Sequence, residues 1–226
     1  MKVKLISYSK PADEMVKEGL ENVQDLIAFC ARVSNPSNQL NMETSEKLIK
    51  YLIKHAHWSP LEMVSACMEI ETTRDIARQI LRHRSFSFQE FSQRYADPTK
   101  DLDFVLREAR LQDTVNRQNS AELGDSDNDN ELKEAWRKKQ EYVIAASKDA
   151  YTWAVENGIA KEQARAVLPE GLTTSRMYMN GTLRSWIHFI SVRSGNGTQK
   201  EHMEVARECA CAIAAIFPMV GNATNV

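Results

Sequence analysis

Apolar residues recur along most of this chain at the spacing of amphipathic helices, and along a few short segments at the spacing of strands. Apolar positions three and four residues apart mark the buried side of a helix. This spacing predicts helices at residues 23–31, 43–55, 131–157, 161–168, 182–193 and 201–217. Strict alternation predicts a half-buried strand, and it is clearest at residues 62–72, where every second residue from Val64 to Ile70 is apolar. Shorter strand patterns lie at residues 3–9 and 173–179, the second ending before Asn180-Gly181.

Two of the helices carry apolar positions that we expect to lie against the core. In the helix at residues 43–55 these positions are Leu48, Tyr51, Leu52 and His55. The longer helix at residues 131–157 has a larger set, formed by Leu132, Ala135, Trp136, Val143, Ala146, Ala150 and Trp153. Asn157-Gly158 follows as a C-cap, because glycine readily adopts the left-handed conformation that ends a helix.

Helices outnumber strands, and the strands are too few and too far apart for a doubly wound parallel sheet. We therefore expect an α+β fold, with a small, mostly antiparallel sheet flanked by helices. A chain of 226 residues fits a single domain that buries roughly 70% of its unfolded surface. Residues 112–130 lose the apolar pattern and are rich in Asn, Asp, Ser and Gln, which predicts a flexible surface insertion within that domain.

Charge and cysteine usage narrow the class of protein. The formal net charge is -2, so no overall positive field draws the chain to nucleic acid or to a membrane. The N-terminal apolar run is too short for a signal peptide, and no run is long enough to span a bilayer. The four cysteines form neither a CxxC pair nor a His/Cys ligand set, which indicates reduced thiols, a cytoplasmic protein and no metal site.

The stretch from Arg82 to Tyr95, RHRSFSFQEFSQRY, combines charge with aromatic rings. It holds four basic side chains and four aromatic ones within fourteen residues. A solvated surface does not need the aromatic residues, and a core cannot bury unpaired guanidinium groups. The mixture suits a pocket that binds anionic oxygens and covers a flat ring. By composition alone, a solvated or ion-paired surface is an equally good interpretation.

The residues before this stretch predict how it is held. The sequence from Thr72 to Asp75 fits a helix start with Thr72 as the N-cap. In a helix that begins at about residue 74, Gln79, Arg82 and His83 share one face.

After Arg84 the residues alternate, which predicts that the helix ends and an extended loop follows. Ser92 and Arg94 are two residues apart, so in an extended segment their side chains point the same way. A hydroxyl and a guanidinium that point together would bind a phosphate.

Two histidines, His55 and His57, lie at the predicted end of a helix. No acidic or histidine partners accompany them at metal-site spacing, so a helix-end role is the commoner interpretation. His57 is the better functional candidate, because it lies beyond the apolar stripe.

Later arginines and one histidine add candidates of lower specificity. Arg165 lies on a short helix that ends at a proline. Arg184 and His188 are four residues apart and share a face opposite the core. Arg193 ends the same helix, where the helix dipole favours a cation whatever its function. The sequence has no glycine-rich phosphate loop and no cysteine in a nucleophile context.

The spacing of the Arg82–Arg94 segment resembles the RHRxxSxxxxSxR fingerprint of the flavin-dependent thymidylate synthases. The resemblance continues in KHAHWSPLE, ARQILRHR, ARAVLP and NGTLRSWIHFISVR, and so covers most of residues 55–193. It implies an enzyme that converts dUMP to dTMP with methylenetetrahydrofolate as carbon donor, FAD as redox carrier and NADPH as reductant. It also implies a homotetramer whose active sites are built by several subunits.

The resemblance assigns roles to individual residues. The FAD contacts would be Ser59, Arg82, His83, Arg84, Ser85, Glu90, Thr182, Arg184 and His188. Many members carry Asn at the position of Thr182. The dUMP contacts would be Gln79, Arg82, Glu90, Phe91, Ser92, Gln93, Arg94, Arg165 and Arg193. His57 would lie where the folate ring stacks on the flavin.

The implied chemistry is consistent with these side chains. Ser92, Arg94 and Arg165 would neutralise the nucleotide phosphate. Arg193 would stabilise negative charge at N3 and O4 of uracil, so that C5 becomes nucleophilic without a protein thiolate. The alternatives are a nucleic-acid-binding module that uses the basic segment and its aromatic residues, and a nucleotide-binding protein that has lost the redox step.

Overall fold

A four-stranded antiparallel sheet, with strand order β1-β2-β6-β3, holds together the helices of this computed structural model. The structure describes residues 1–224. The helices and strands follow one another along the chain as β1 (Lys2–Tyr8), α1 (Asp13–Lys17), α2 (Val23–Ala31), α3 (Ser45–Lys54), β2 (Ser65–Thr73), α4 (Arg74–Ile80), β3 (Ser87–Glu90), α5 (Pro98–Asp101), β4 (Arg110–Gln112), β5 (Ser120–Glu122), α6 (Asp127–Glu156), α7 (Lys161–Ala164), β6 (Thr174–Thr182), α8 (Leu183–Arg193), α9 (Lys200–Ala214) and α10 (Val220–Thr224). Short 3₁₀ helices lie at Pro36–Asn38, Ser59–Glu62 and Arg165–Val167. The α+β class and the antiparallel sheet predicted from the sequence are confirmed.

One face of the sheet is apolar and the other is polar. Val64, just before β2, and the alternating β2 residues Ala66, Met68 and Ile70 are buried, as are Met177 and Met179 of β6. The helices α4, α8 and α9 pack around them. On the opposite face Tyr178 donates to Glu69 at 2.7 Å and Arg176 donates to Glu71 at 2.8 Å. The period-2 pattern of β2 therefore predicted its buried face correctly.

Both central strands have bounds that differ from the prediction. The strand β2 begins at Ser65 rather than at residue 62, because Pro60 stands in a 3₁₀ turn at Ser59–Glu62. The strand β6 continues through Asn180 and Gly181, which pair with Cys67 and Ala66 instead of forming a turn. A Cβ at Gly181 would lie 2.4 Å from the Phe86 ring. The glycine is thus required for close packing within the strand.

The helix α3 buries part of the face predicted for it, since Leu52 is buried as expected whereas Tyr51 and His55 are exposed. Ile49, Leu52 and Ser45 are buried, whereas Tyr51 is 52% exposed. Tyr51 instead stacks on the exposed His55 ring, with centroids 4.2 Å apart. The apolar residues of this helix span more than one side, and packing against α2 selects the side of Ile49.

The helix α6 is the largest departure from the predicted burial. Its apolar residues Leu132, Trp136, Val143 and Trp153 are 47%, 43%, 41% and 60% exposed in the single chain. We call these four residues the α6 stripe. The buried positions lie on an adjacent side of the helix and are Gln140, Ser147, Tyr151 and Ala154. The α6 stripe is therefore an apolar surface that one chain leaves open.

The apolar-poor segment at residues 112–130 contains regular structure. Strands β4 and β5 form a hairpin, and α6 begins at Asp127, with the Ser126 side chain accepting a hydrogen bond from the Asp129 amide. Lys200 of α9 binds Glu122 of the hairpin at 2.6 Å. The segment at residues 112–130 therefore consists of part of a hairpin and the start of α6, and its flexibility remains a prediction. None of the helices within residues 1–224 combines the length and apolar character that crossing a bilayer requires.

Candidate functional site

The start of α4 fixes where the Arg82–Tyr95 segment leaves the core. Thr73, not Thr72, is the N-cap residue. Its hydroxyl donates to the Asp75 carboxylate at 2.5 Å and accepts a hydrogen bond from Arg107. The helix ends at Ile80, a turn follows, and Ser87–Glu90 pairs with β6. The predicted change from helix to extended chain is confirmed, although the extended part is an edge strand. The helix ends earlier than predicted, so Arg82 and His83 lie beyond it and do not share a helical face with Gln79.

His83 and Arg193 meet just beyond the end of α4. The Arg193 Nε group donates to His83 Nε2 at 2.9 Å, so this ring nitrogen is unprotonated. Burial, together with the nearby cationic Arg193 and with His188 and Arg82, lowers the pKa of His83 to about 4. The pair therefore presents a neutral imidazole beside a guanidinium whose two Nη groups are not used in this contact. Arg82 and Arg84 on either side are exposed.

A cavity of about 340 Å³ lies along the outer face of α8. It brings together Ser85, Arg184 and His188, three of the residues predicted to contact the flavin. Its volume is near the lower end for ligand pockets, so it suits one part of a cofactor as large as FAD. The Arg184 guanidinium is fixed by Glu62 at 2.5 Å.

Sequence reasoning missed four residues of this cavity, which are Trp58, Ser185, Ile187 and Ser191. Ser191 lies one helical turn beyond His188, so the helical spacing could have identified it. Trp58 immediately precedes the predicted Ser59, which does not line the cavity. Thr182 is the N-cap of α8, and its hydroxyl accepts from the Ser185 amide at 3.3 Å. The same hydroxyl lies 3.2 Å from the Ser185 hydroxyl.

A second group of cations surrounds Glu162. Arg94 Nε lies 3.3 Å from the Glu162 carboxylate, and Arg165 Nε donates to the Glu162 carbonyl at 3.3 Å. Lys161 donates to the Tyr95 carbonyl at 3.0 Å. We call this group the Arg94–Arg165 cluster. Arg94 and Arg165 are far apart in sequence, and both contact Glu162.

The prediction that Ser92 and Arg94 lie in an extended segment is wrong. Residues 93–95 form a turn in which the Tyr95 amide donates to the Ser92 carbonyl at 3.1 Å. The Ser92 hydroxyl accepts from the Arg94 amide at 3.4 Å. The hydroxyl thus lies beside the backbone of Arg94, a geometry that still keeps both groups near the same surface.

Three further predicted contact residues lie on β3 or directly after it. Glu90 accepts from the Ser175 hydroxyl at 2.8 Å and lies 3.7 Å from Arg74. The Phe91 amide donates to the Arg176 carbonyl at 2.8 Å. Gln93 is only 4% exposed, and its Nε2 group has no partner among the residues that the structure describes. Within one chain, the Glu90 side chain therefore contacts Ser175 and Arg74, and Gln93 is buried.

The two histidines after α3 are exposed and flank a strained residue. Ala56 has a φ of 55°, in the left-handed region that alanine rarely adopts. The rings of His55 and His57 are 6.2 Å apart. No group of three potential metal ligands occurs in the described part of the chain. His57 immediately precedes Trp58 but is not part of the cavity lining.

Gln79 links the site to residues that sequence reasoning did not consider. Its Oε1 atom lies 3.2 Å from Nδ1 of His202, and its Nε2 group donates to Gln199 at 2.8 Å. His202 is fully buried, and its ring centroid is 6.4 Å from that of His83. His202 lies on the apolar side of α9, and the sequence pattern does not distinguish a functional histidine there from an ordinary core residue.

Some of the predicted site residues thus form two groups in one chain. The first contains His83, Arg193, Gln79 and the cavity along α8. The second is the Arg94–Arg165 cluster. Within residues 1–224, no hydrogen bond or ion pair links the Arg94–Arg165 cluster to Arg193 or to His83.

Comparison with known proteins identifies relatives across the whole chain. Residues 15–219 match the family model described as "Thymidylate synthase complementing protein". The chain is 46% identical over 225 residues to a "Probable flavin-dependent thymidylate synthase" of Paramecium bursaria Chlorella virus 1, covering 100% of this chain and 99% of that protein. It is 47% identical over 224 residues to a "Flavin-dependent thymidylate synthase" of Synechocystis sp., covering 99% of both.

A solved structure has the same fold. A UMP/dUMP methylase, PolB from Streptomyces cacaoi, bound with 5-Br dUMP, superposes with a TM-score of 0.78. The match covers 99% of this chain and 94% of that one, at 24% identity.

Proposed function

This chain belongs to the flavin-dependent thymidylate synthases, and on that premise we propose that it converts dUMP to dTMP. In this reaction methylenetetrahydrofolate supplies the carbon unit, FAD carries the reducing equivalents and NADPH is the reductant. The observation that carries the proposal is the His83–Arg193 pair, taken together with the cavity along α8. These two features contain His83 of the fingerprint, with Arg184, His188 and Arg193 of the later segment that resembles the family.

Arg193 is the residue that we expect to activate the pyrimidine. Its Nε group is occupied by His83, which orients the guanidinium and leaves both Nη groups for the uracil ring. Placed at N3 and O4, they would stabilise negative charge and make C5 nucleophilic. Burial lowers the pKa of Arg193, with a smaller contribution from Arg82, and the group remains a cation at neutral pH.

The cysteines support a reaction without a protein thiolate. Burial raises the pKa of Cys30, Cys67 and Cys209, so each is held as the neutral thiol. A thiolate is the nucleophilic form of cysteine. Activation of C5 by Arg193 requires no such nucleophile.

The cavity along α8 has side chains that fit part of a flavin. Arg184 and His188 supply donors, Ser85 supplies a hydroxyl, and Trp58 and Ile187 supply apolar surface for a planar ring. The bound flavin would supply hydride-transfer chemistry, and the chain would hold it and exclude water. We place His57 beside the folate ring, since it immediately precedes Trp58.

The Arg94–Arg165 cluster is the proposed phosphate site. Its two guanidinium groups are exposed enough to exchange Glu162 for a phosphate, and charge-assisted bonds would hold the anion. The Ser92 hydroxyl adds a donor on the same turn.

We further propose that the active site is completed between copies of the chain in a homotetramer. Two observations support this assembly. The α6 stripe leaves large apolar side chains open to solvent, and the Arg94–Arg165 cluster has no bond to the His83–Arg193 pair within residues 1–224. A copy of the chain packed on the α6 stripe would cover the first surface and could supply the missing half of the site.

The decisive experiment is an absorption spectrum of the purified protein, followed by NADPH oxidation and dTMP formation with and without dUMP. We expect a yellow protein and dTMP formation that depends on dUMP and methylenetetrahydrofolate. Arg193→Ala should retain the flavin and lose turnover, whereas Arg207→Ala, at an exposed position of α9, should behave as the wild type. A colourless protein with salt-sensitive polynucleotide binding would favour the nucleic-acid module instead.

A further inference from the structure

A chain of hydrogen bonds runs from a charged residue at the start of α9 to the fully buried His202. Glu201 accepts from Gln199 Nε2 at 3.0 Å, and Gln199 Oε1 accepts from Gln79 Nε2 at 2.8 Å. Gln79 Oε1 in turn lies 3.2 Å from His202 Nδ1. We call these four residues, Glu201, Gln199, Gln79 and His202, the glutamine chain.

The carboxylate of Glu201 fixes the direction of every bond in the glutamine chain. An ionised carboxylate can only accept, so Gln199 must present its amide nitrogen to Glu201 and its oxygen to Gln79. Gln79 must then present its nitrogen to Gln199 and its oxygen to His202. Because that oxygen can only accept, His202 must carry its proton on Nδ1. An amide rotated by 180° at either glutamine would place two donors or two acceptors against each other.

Glu201 is held in the ionised form by two arginines. Arg107 Nη1 lies 3.1 Å from the carboxylate, and Arg110 also binds it. Although burial by itself would raise the pKa of Glu201, the bonds from Arg110, Arg107 and Gln199 lower it to about 2. The acceptor that sets the direction is therefore constant throughout the pH range in which the enzyme is assayed.

The far end of the glutamine chain is equally constrained. His202 is 0% exposed, and its Nε2 atom has no hydrogen-bond partner among residues 1–224. A proton on Nε2 would bury an unpaired donor and add positive charge near Arg193. The ring therefore remains neutral and acts as a fixed donor to Gln79. The other ionisable groups that affect His202 are Arg193 and His83, and both disfavour its charged form.

We propose that the glutamine chain is a positioning device, in which His202 and Gln199 hold the Gln79 amide in one orientation for the nucleotide. The proposal rests on the proposed function, because Gln79 is a dUMP contact only in that reaction. One N–H and one oxygen lone pair of the Gln79 amide are used in the glutamine chain. The other N–H and the other lone pair remain for the substrate, and their directions are fixed. Without the hydrogen bonds of the glutamine chain, the Gln79 amide could rotate by 180°. A fraction of the molecules would then present its oxygen where the nucleotide needs an N–H, or the reverse.

The test compares His202→Leu, His202→Asn and Gln199→Met in the full-length enzyme with its flavin. Loss of one oriented hydrogen bond should raise KM for dUMP about 3- to 10-fold in His202→Leu and Gln199→Met. The kcat at saturating dUMP should stay within about twofold, because the chemistry at Arg193 is untouched. His202→Asn should restore KM, since an asparagine amide places an N–H where Nδ1–H was.

Gln140→Met is the matched control. Gln140 is also a buried glutamine, 2% exposed, and it binds both backbone groups of Arg107, at 2.7 Å and 3.0 Å. Its replacement should lower stability without raising KM for dUMP. A role of His202 and Gln199 in stability alone would likewise lower the melting temperature and the active fraction and leave KM unchanged.

The possible outcomes distinguish the positioning role of the glutamine chain from the proposed function. An unchanged KM in both His202→Leu and Gln199→Met, with dTMP formation by the wild type, would overturn the positioning role and keep the proposed function. Failure of His202→Asn to restore KM would also overturn it. If His202→Leu does not fold, Gln199→Met at the partly exposed position decides alone. A wild type that forms no dTMP would overturn both proposals.

Discussion

Buried neutral histidines should make this protein sensitive to mild acid. Burial, with smaller contributions from nearby Arg193 and His83, lowers the pKa of His202 from 6.5 to about 3. The unfolded chain has no such environment, so its histidine takes up a proton near pH 6.5. Between these two values the unfolded state binds more protons than the folded state, and stability must fall as the pH falls.

The size of the effect follows from the span of pH that is crossed. One proton bound only by the unfolded state changes the free energy of unfolding by about 1.4 kcal/mol per pH unit. From pH 6.5 to 5 this gives about 2 kcal/mol for His202. His83, whose pKa is lowered to about 4, is partly exposed, so solvent screening reduces its share to about 1 kcal/mol. Glu201 titrates at about 2 and lies below this range.

The assay is urea unfolding of the wild type and His202→Asn at pH 7, 6 and 5, with protein concentration and flavin content held constant. The wild type should lose about 2 kcal/mol more than the variant between pH 7 and pH 5, because asparagine does not titrate. The comparison removes all contributions that both proteins share. Equal pH dependence in the two proteins would show that His202 is protonated in the folded state, and the neutral-donor argument would then fail.

Three further substitutions test separate parts of the structure. Ser92→Ala should raise the dissociation constant for dUMP about 3- to 10-fold with the flavin spectrum unchanged, and an unchanged constant would exclude its hydroxyl from the phosphate site. Gly181→Ala should destabilise the fold by about 1–3 kcal/mol in thermal or urea unfolding, because its Cβ would overlap Phe86; wild-type stability would show that the ring moves freely. Arg107→Met should cost about 3–5 kcal/mol in the same measurement, since it removes one of the two cations that pair with Glu201; a loss below about 1 kcal/mol would contradict this.

Local pattern was sufficient where one rule decided the structure. The alternation in β2 predicted its buried face, and Asn157-Gly158 ended α6 as expected, with Gly158 at a φ of 79°. The face shared by Arg184 and His188 on α8 was also correct, and both line the cavity. In each case the deciding interaction lies within a few residues, which a sequence pattern contains directly.

The choice between two apolar sides of one helix was not available in the sequence. In α3 the side of Ile49 is buried rather than that of Tyr51, and in α6 the side of Gln140 is buried rather than the α6 stripe. Periodicity identifies apolar positions, but the partner that packs against them comes from a distant segment or from another chain. The turn at Ser92 was missed for a related reason, because its hydrogen bonds replaced the extended continuation that alternation predicted.

The sequence by itself determined the α+β class, the helix and strand pattern, and the residue types of the site, since these depend on short-range spacing and on side-chain chemistry. Only the tertiary structure brought Arg193 to His83, Arg94 to Arg165, and Gln79 to His202. These contacts join residues more than sixty positions apart in the chain. Hydrogen bonds of this kind depend on distances of about 3 Å, and packing of the whole chain sets those distances.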